Sequence, residues 1–455
     1  MKRVLLWKGL AVLGLALLLL VPLSMIEGQV QARKERKNQV EENISQSAAG
    51  SQQITGPFLV IGYTEEVNTW VRDEKTGEQL KDPKTGQALM RSESVDRTAV
   101  IVPKVLVMEG KAQVEERHRG LYKAQLFHLD ATLKGTIQVP GDLGLPQRQG
   151  KISPGRAWLA VGVSDLRGVQ NHPKLQWAGQ AWDFEADGIG EGLGRGLVAD
   201  LGPLAQLKAQ DYAFEIPVFQ LLGTEELSIA PVAEDTQVKL RSDWSNPSFG
   251  GRFLPARHHI DEKGFEAQWQ VTSLARDLAP ILWKRQGLKS SESFDIAFVE
   301  PVNIYLQSER AVKYGFLFVG LTFAGFFLFE MLKRLPIHPM QYFLVGISLA
   351  LFFLLLISLS EHTTFLLAYA AAGGSSVLLL WFYLASVLRS WGHASAFAAG
   401  LTLLYGVLYG LLASEDNALL MGSLLLFAAL AATMMATRKL DWYGLSRRTE
   451  TLPEA

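Results

Sequence analysis

Gln341-Tyr-Phe-Leu-Val-Gly-Ile-Ser-Leu-Ala-Leu-Phe-Phe-Leu-Leu-Leu-Ile-Ser-Leu359 contains no charged residue and stops at Ser360-Glu361-His362. A helix rising ~1.5 Å per residue covers about 28 Å over this run, close to the ~30 Å hydrocarbon core of a bilayer. The run therefore reads as a membrane span. Working outward, residues 312–332, 364–388, 395–413 and 417–436 have the same character. The charged residues of the whole stretch 311–436 are Lys313, Glu330, Lys333, Arg334, Glu361, Arg389, Glu415 and Asp416. Residues 27–310 carry roughly 71 charges in about 284 positions, near the 25% of an ordinary soluble domain. One half of the chain belongs in lipid and the other in water, which excludes both a wholly soluble enzyme and a pure membrane bundle.

At the other end, Met1-Lys2-Arg3 precedes an apolar run from Val4 to Ile26 interrupted only by Lys8. It is too long for a typical signal-peptide core and lacks a small-x-small cleavage site, so it is expected to stay as a signal anchor. This gives six expected spans and places both termini on one side. Lys333-Arg334, Arg389, Arg438, Lys439, Arg447 and Arg448 fall on one face, and the acidic hairpins at Glu361 and Glu415-Asp416 on the other. The positive-inside rule makes the basic face cytoplasmic. Arg33, Lys34, Arg36 and Lys37, beyond the first span, argue the other way, but a long translocated segment obeys that rule less strictly than short hairpins.

The expected divisions are an N-terminal span over 1–26, a helical stalk over 27–55, a β-rich domain over 56–310, a five-helix bundle over 311–437 and a tail over 438–455. Thr55-Gly56-Pro57 should end the stalk, with Phe58 to Tyr63 as the first strand. Thr98 to Met108, Gly120 to Leu129, Ala131 to Val139, Ala157 to Val163 and Tyr212 to Leu222 also read as strands. Short strands between Gly, Pro and Asp turns, without long helical patterns, predict an antiparallel sandwich or two sandwich-like lobes. Asp73 to Arg91 reads as a solvated hairpin or insertion. A faint likeness between Val161–Asp165 and Leu240–Trp244, each leading into an aromatic stretch, raises the idea of two related lobes.

Candidate chemistry is sparse. With no cysteine, thiol chemistry and Cys-ligated metals are excluded. A net charge of −1 with no basic stripe gives no case for nucleic acid. His258-His259 would point to opposite faces of a strand, and the Lys-Thr-Gly pairs lack phosphate-loop spacing, so no metal or cofactor site is expected. Ser360-Glu361-His362 cannot orient one another as a catalytic triad, because adjacent residues do not converge. No catalytic residue is therefore assigned. The membrane-edge polar candidates are Glu330, Glu361, His362, Glu415 and Asp416. Glu330 is expected to pair with Lys333 or Arg334 one turn on. Gly406-Val-Leu-Tyr-Gly410 and Ala370-Ala-Ala-Gly-Gly374 offer narrow helix faces for close packing or homo-oligomerisation. Tyr305, Tyr314, Tyr342, Trp442 and Tyr443 suit an interfacial aromatic belt. In the outer domain, Asp243, Trp244 and Phe249 on a Pro-containing loop are the candidate interaction surface.

Taken in order, several motifs carry a resemblance to a known family. They are Ser308-Glu-Arg-Ala-Val-Lys-Tyr314, Ile337-His-Pro-Met-Gln-Tyr-Phe-Leu-Val-Gly346, Ser358-Leu-Ser-Glu-His362, Ser414-Glu-Asp-Asn-Ala-Leu-Leu420 and Thr437-Arg-Lys-Leu-Asp-Trp-Tyr443. Gly56-Pro57, Ser242-Asp-Trp-Ser-Asn-Pro-Ser-Phe249, Phe253-Leu-Pro255 and Gly264-Phe265 add to them, while Gly62 stands where the family often has proline. The chain resembles the CreD family of bacterial inner-membrane proteins, also called cell envelope integrity proteins. The resemblance implies one N-terminal span, a periplasmic domain and a C-terminal bundle in the inner membrane. It also implies association with a two-component envelope response, altered colicin tolerance and β-lactam stress, and it supplies no catalytic residues. The expected protein is non-enzymatic, set in the lipid bilayer, with a periplasmic domain that binds an envelope protein or wall component. A transporter or channel component and a periplasmic enzyme acting on wall or lipid substrates are the alternatives.

Overall fold

The computed structural model describes residues 2–71, 79, 88–142, 151–190, 194–204, 207–275, 292–300, 304–333, 337–413 and 418–438. It divides into two units, Met1–Asn38 with Val302–Ala455, and Gln39–Pro301. The apolar sequence forms helices α1 (Lys2–Leu18), α2 (Leu20–Ser47), α3 (Ile304–Lys333), α4 (Pro339–Ser360), α5 (Phe365–Val387), α6 (Trp391–Ala413) and α7 (Ala418–Thr437). Pro22 has no N–H to give the Leu18 carbonyl, and the helix assignment breaks there at Leu19. Leu19 and Leu23 still donate to Leu15 and Leu19, at 3.0 and 3.3 Å, so one apolar rod continues through the break.

Five helices among the described residues are long and apolar enough to cross a membrane: Leu10–Ser47, Ile304–Met331, Pro339–Ser360, Phe365–Val387 and Trp391–Ala413. The expectation of six is corrected here. The sixth, over 417–436, contains a shorter apolar helix, Leu420–Met435.

Helix α4 is the hub of this unit. His338 accepts from the Met340 N–H (3.2 Å) and Gln341 accepts from the His338 N–H (3.0 Å), with Pro339 at the first turn. This reciprocal cap explains why Ile337-His-Pro-Met-Gln begins a helix. Val345, Leu349, Phe352 and Phe353 on α4 are completely buried. Phe352 and Phe318 each stand 4.6 Å from the Tyr405 ring. Gly346 faces Leu19 and Phe323 so closely that a Cβ there would overlap the Leu19 side chain. Tyr342 and Tyr305 belong to the buried interior, at 0% and 5% exposure, which removes them from the expected aromatic belt. Gly406 has no neighbour within contact of a Cβ, whereas a Cβ at Gly410 would meet Met421 at 3.2 Å.

In the second unit the strands begin with β1 (Gln52–Trp70), β2 (Met90–Ile101), β3 (Val105–Arg119), β4 (Tyr122–Gln138) and β5 (Ile152–Val163). Next come β6 (Lys174–Trp177), β7 (Gln180–Asp183), β8 (Glu185–Gly190), β9 (Gly194–Pro203) and β10 (Asp211–Thr224). The last are β11 (Glu226–Ala230), β12 (Asp235–Ser242), β13 (Pro247–Gly251), β14 (Arg257–Asp261), β15 (Gly264–Thr272) and β16 (Phe294–Phe298). One sheet runs β13-β16-β11-β1-β5-β9-β8 with β2 also on β1, and the other runs β14-β15-β12-β3-β4-β10-β6-β7. Leu59, Ile61 and Leu159 from the first sheet and Phe127, Leu133 and Leu240 from the second share one core, so the unit is a sandwich.

Strand β1 is buried on both faces because its alternate residues serve different clusters. Leu59, Ile61 and Tyr63 point into the inter-sheet core, while Phe58 and Val60 pack with Ala160, Ile189 and Val232. It starts at Gln52, ahead of the expected Phe58, and crosses Gly56-Pro57 at a register shift against β5 between Thr55 and Phe58. A proline inside a strand is tolerated at such a bulge. The expected strand over Thr98 to Met108 is two, β2 and β3 in different sheets, separated at Pro103. Conversely, the two runs either side of Asp130 form the single strand β4. The sandwich is also not wholly antiparallel: β1 runs parallel to β11, and β3 parallel to β12. Val161–Asp165 ends a strand beside β1, while Leu240–Trp244 ends one beside β3 and β15, so the suggested repeats hold different positions. Most of the expected hairpin over Asp73 to Arg91 lies outside the described residues.

Candidate functional site

Charges of the helical unit pair between helices. Lys34 donates to Glu309 at 3.0 Å, and Lys313, one turn along α3, reaches the other Glu309 oxygen at 2.7 Å. Arg33 lies 3.4 Å from Glu361, just past the end of α4, and the Tyr305 hydroxyl donates to the same carboxylate at 3.4 Å. The Glu361 side chain is only 6% exposed, so these partners replace lost hydration. They involve two of the four basic residues that weigh against the inferred orientation, Arg33 and Lys34. Arg33 and Lys34 are bound to carboxylates from other helices of the unit. His362 is exposed, and its backbone N–H donates to Leu359. Glu415 and Asp416 lie outside the described residues.

Glu330 stands near the opposite end of α4. Buried to 8% exposure, its carboxylate accepts from the Tyr342 hydroxyl at 2.7 Å and the Ile337 N–H at 3.3 Å. Together these bonds tie α3 to the start of α4. The side chain of Lys333 and all of Arg334, the partners expected from spacing, lie outside the described residues.

A second polar group sits between helices, and the residue-by-residue reading passed over it because it contains no charge. Ser348 and Ser376 hydroxyls are 3.4 Å apart, Tyr405 donates to Ser376 at 3.2 Å, and Tyr369 donates to the Tyr405 carbonyl at 2.7 Å. The chain of hydroxyls links α4, α5 and α6. Each bond satisfies a group that would otherwise face hydrocarbon, so the network joins helices. Ser348 and Ser376 at the centres of predicted spans were its only sequence signal.

In the sandwich, Ser242 to Asn246 carries the chain from β12 in one sheet to β13 in the other. Gly264, at φ +135°, presses so closely on the Ser242 carbonyl that a Cβ would overlap it. Asp243 is exposed, and its Oδ1 accepts from the Val114 N–H at 3.0 Å. The Trp244 indole N–H donates to the carbonyls of Asn246 and Val299, both at 3.1 Å, leaving the ring half-buried. Phe249 is also half-buried, edge-on to Phe265 at 5.5 Å and Trp269 at 5.7 Å. Trp269 stacks on Phe294 at 4.9 Å, extending the aromatic cluster across the two sheets. Asp243, Trp244 and Phe249 thus share one end of the sandwich. His258 lies against Phe249 at 5.7 Å, while the His259 side chain is 81% exposed.

The chain matches the family described as inner membrane protein CreD over residues 4–443. It is similar to inner membrane protein CreD of Escherichia coli (strain K12), at 35% identity over 451 residues, covering 98% of this chain and 95% of that protein. The motifs in the helix ends, the caps and the β12–β13 connection all fall inside this match. An apolar helical unit joined to a β-sandwich, matched almost end to end, makes the chain a member of the CreD family of inner membrane proteins.

Proposed function

We propose that the protein supports the cell envelope without catalysing a reaction, and that its sandwich lies on the periplasmic side and holds an envelope protein or wall component. The N-terminus is then cytoplasmic, as are Arg389 and the end of α3, while Glu361 is periplasmic. The observation that carries the binding role is the state of Trp244 and Phe249. Both are fixed by hydrogen bonds or ring contacts, yet neither is fully buried. Rigid, half-exposed aromatics beside an exposed carboxylate contribute binding area without losing much conformational freedom, as interface anchors do.

A photo-reactive amino acid placed at Asp243 in living cells tests this reading, with exposed Lys174, on β6 four strands from β12 in the same sheet, as control. Covalent capture of one defined envelope component from Asp243, abolished by Trp244→Ala and absent from Lys174, is the expected result. Equal capture from both positions, or none from Asp243, contradicts it.

A further inference from the structure

Helices α1, α2 and α4 leave an apolar groove of about 560 Å³ along the helical unit. Leu18, Pro22, Met25 and Gln29 form one wall, and Ile347 and Leu354 belong to the other. The proline discontinuity at Leu19 lies at one end of this wall. From Leu18 to Gln29 the helix rises about 16 Å, just over half of the ~30 Å hydrocarbon core. The groove is therefore one leaflet deep. Its volume also falls in the range of sites that enclose small ligands.

The same helix face changes character beyond the groove. Residues 18, 22, 25 and 29 are spaced by three or four, and the next two on that face are Arg33 and Arg36. The contact of Arg33 with Glu361 shows that this face still looks toward the end of α4. The Arg33 side chain remains 46% exposed. Arg36 is exposed and forms no ion pair among the described residues. An apolar slot one leaflet deep thus ends at two guanidinium groups.

We infer that the groove holds one acyl chain of an anionic phospholipid of the surrounding bilayer, whose phosphate rests on Arg36 and the exposed side of Arg33. Arg33 keeps its carboxylate partner, so Arg36 supplies most of the preference for an anionic headgroup. Guanidinium and phosphate have complementary hydrogen-bonding geometry, and the flanking hydrocarbon keeps the pair close to low-dielectric surroundings. The site lies in whichever leaflet contains Arg33, so it does not depend on the proposed orientation.

The test uses the full chain in vesicles containing equal amounts of phosphatidylglycerol and phosphatidylcholine, with a photo-reactive acyl chain on one lipid at a time. Labelled residues are mapped by peptide mass spectrometry. Phosphatidylglycerol is expected to label the groove on the order of fivefold more than phosphatidylcholine, the preference of one arginine for an anionic lipid. Arg36→Ala should bring the two lipids to equal labelling. Val21→Trp, at a lipid-exposed position on the groove, should reduce groove labelling by both lipids while leaving labelling at exposed Leu366 and Leu378 unchanged. Equal groove labelling by the two lipids in the parent chain, or a lipid preference that survives Arg36→Ala, overturns the headgroup assignment. Labelling no greater in the groove than at Leu366 and Leu378 overturns the site itself.

Discussion

At the scale of single residues, buried polar groups set the largest sensitivities. Tyr342 donates to the buried carboxylate of Glu330, and a hydrogen bond to a charged group contributes about 1.5–3 kcal/mol. Tyr342→Phe should therefore lower the thermal unfolding midpoint of the protein in detergent clearly more than Tyr314→Phe, at a half-buried tyrosine of the same helical unit. Equal midpoints for the two variants would deny Glu330 and Tyr342 their role in joining α3 to α4. Gly264 is constrained differently, by φ +135° and by the Ser242 carbonyl where a Cβ would go. Backbone strain of this kind costs about 1–3 kcal/mol before the overlap is counted. Gly264→Ala should make the β12–β13 connection a site of early proteolysis, and an unchanged digestion pattern would refute that. At Asp165, hydrogen bonds from the Arg167 guanidinium (2.6 and 3.0 Å) hold the carboxyl below the usual carboxylate range. Because the folded value is lowered, this contribution is present above the unfolded pKa of ~3.9 and is lost as pH falls through the folded value. The gap in urea midpoint between the parent chain and Asp165→Asn should be full at pH 7 and narrow steadily below about pH 4. A gap that did not change with pH would remove the ion pair as its cause.

At the scale of elements, the end of α2 is built into the sandwich unit. Ile44 packs with Ala124 and Leu126 on the outward face of β4, Ser45 and Thr224 hydroxyls meet at 3.0 Å, and Arg167 donates to the Gln46 carbonyl at 2.7 Å. From sequence this region reads as a stalk because its polar composition is helix-compatible and shows no apolar stripe. Its anchors are one isoleucine and a few hydrogen bonds to residues more than a hundred positions away, which local periodicity does not reveal. The strand runs were readable where apolar residues alternated, as in β4 and β10. They were not readable in the short strands β7 and β14, whose residues are largely exposed and take their order from their neighbours. Parallel pairing of β1 with β11 and of β3 with β12 was equally hidden, because direction is settled by the crossover and not by side-chain alternation. In the helical unit, the approach of Leu19 and Phe323 to Gly346 is an element-level constraint. Gly346→Leu should cost about 1–3 kcal/mol through overpacking, measured as loss of the folded full-length chain on heating in detergent. Gly406→Leu, where no neighbour is within contact of a Cβ, should cost much less. Equal costs would show that α4 does not depend on this close approach.

At the scale of the whole molecule, the contrast in charge density separated the two units before any contact was known, and the family match extends across both. The candidate residues were only partly legible. Glu330 and Glu361 stood out as rare charges, but their partners Tyr342, Tyr305 and Arg33 come from distant positions, and the Ser348–Ser376–Tyr405 chain has no charge to draw attention. Trp244 and Phe249 were visible as aromatics on a proline-containing loop, whereas their shared setting depends on β12 and β13 entering different sheets. Five helices among the described residues are long and apolar enough to cross, so the proposed orientation rests on the distribution of charge and not on parity. In the proposed topology the sandwich faces the periplasm while the α5–α6 connection faces the cytoplasm. The chain has no cysteine, so single substitutions can be read without background. His259→Cys, on an exposed strand, and Gly392→Cys, at the start of α6, can each be exposed to a membrane-impermeant thiol reagent in spheroplasts. Labelling of His259→Cys in intact spheroplasts, and of Gly392→Cys only after permeabilisation, is the expected result. The reverse pattern would contradict it.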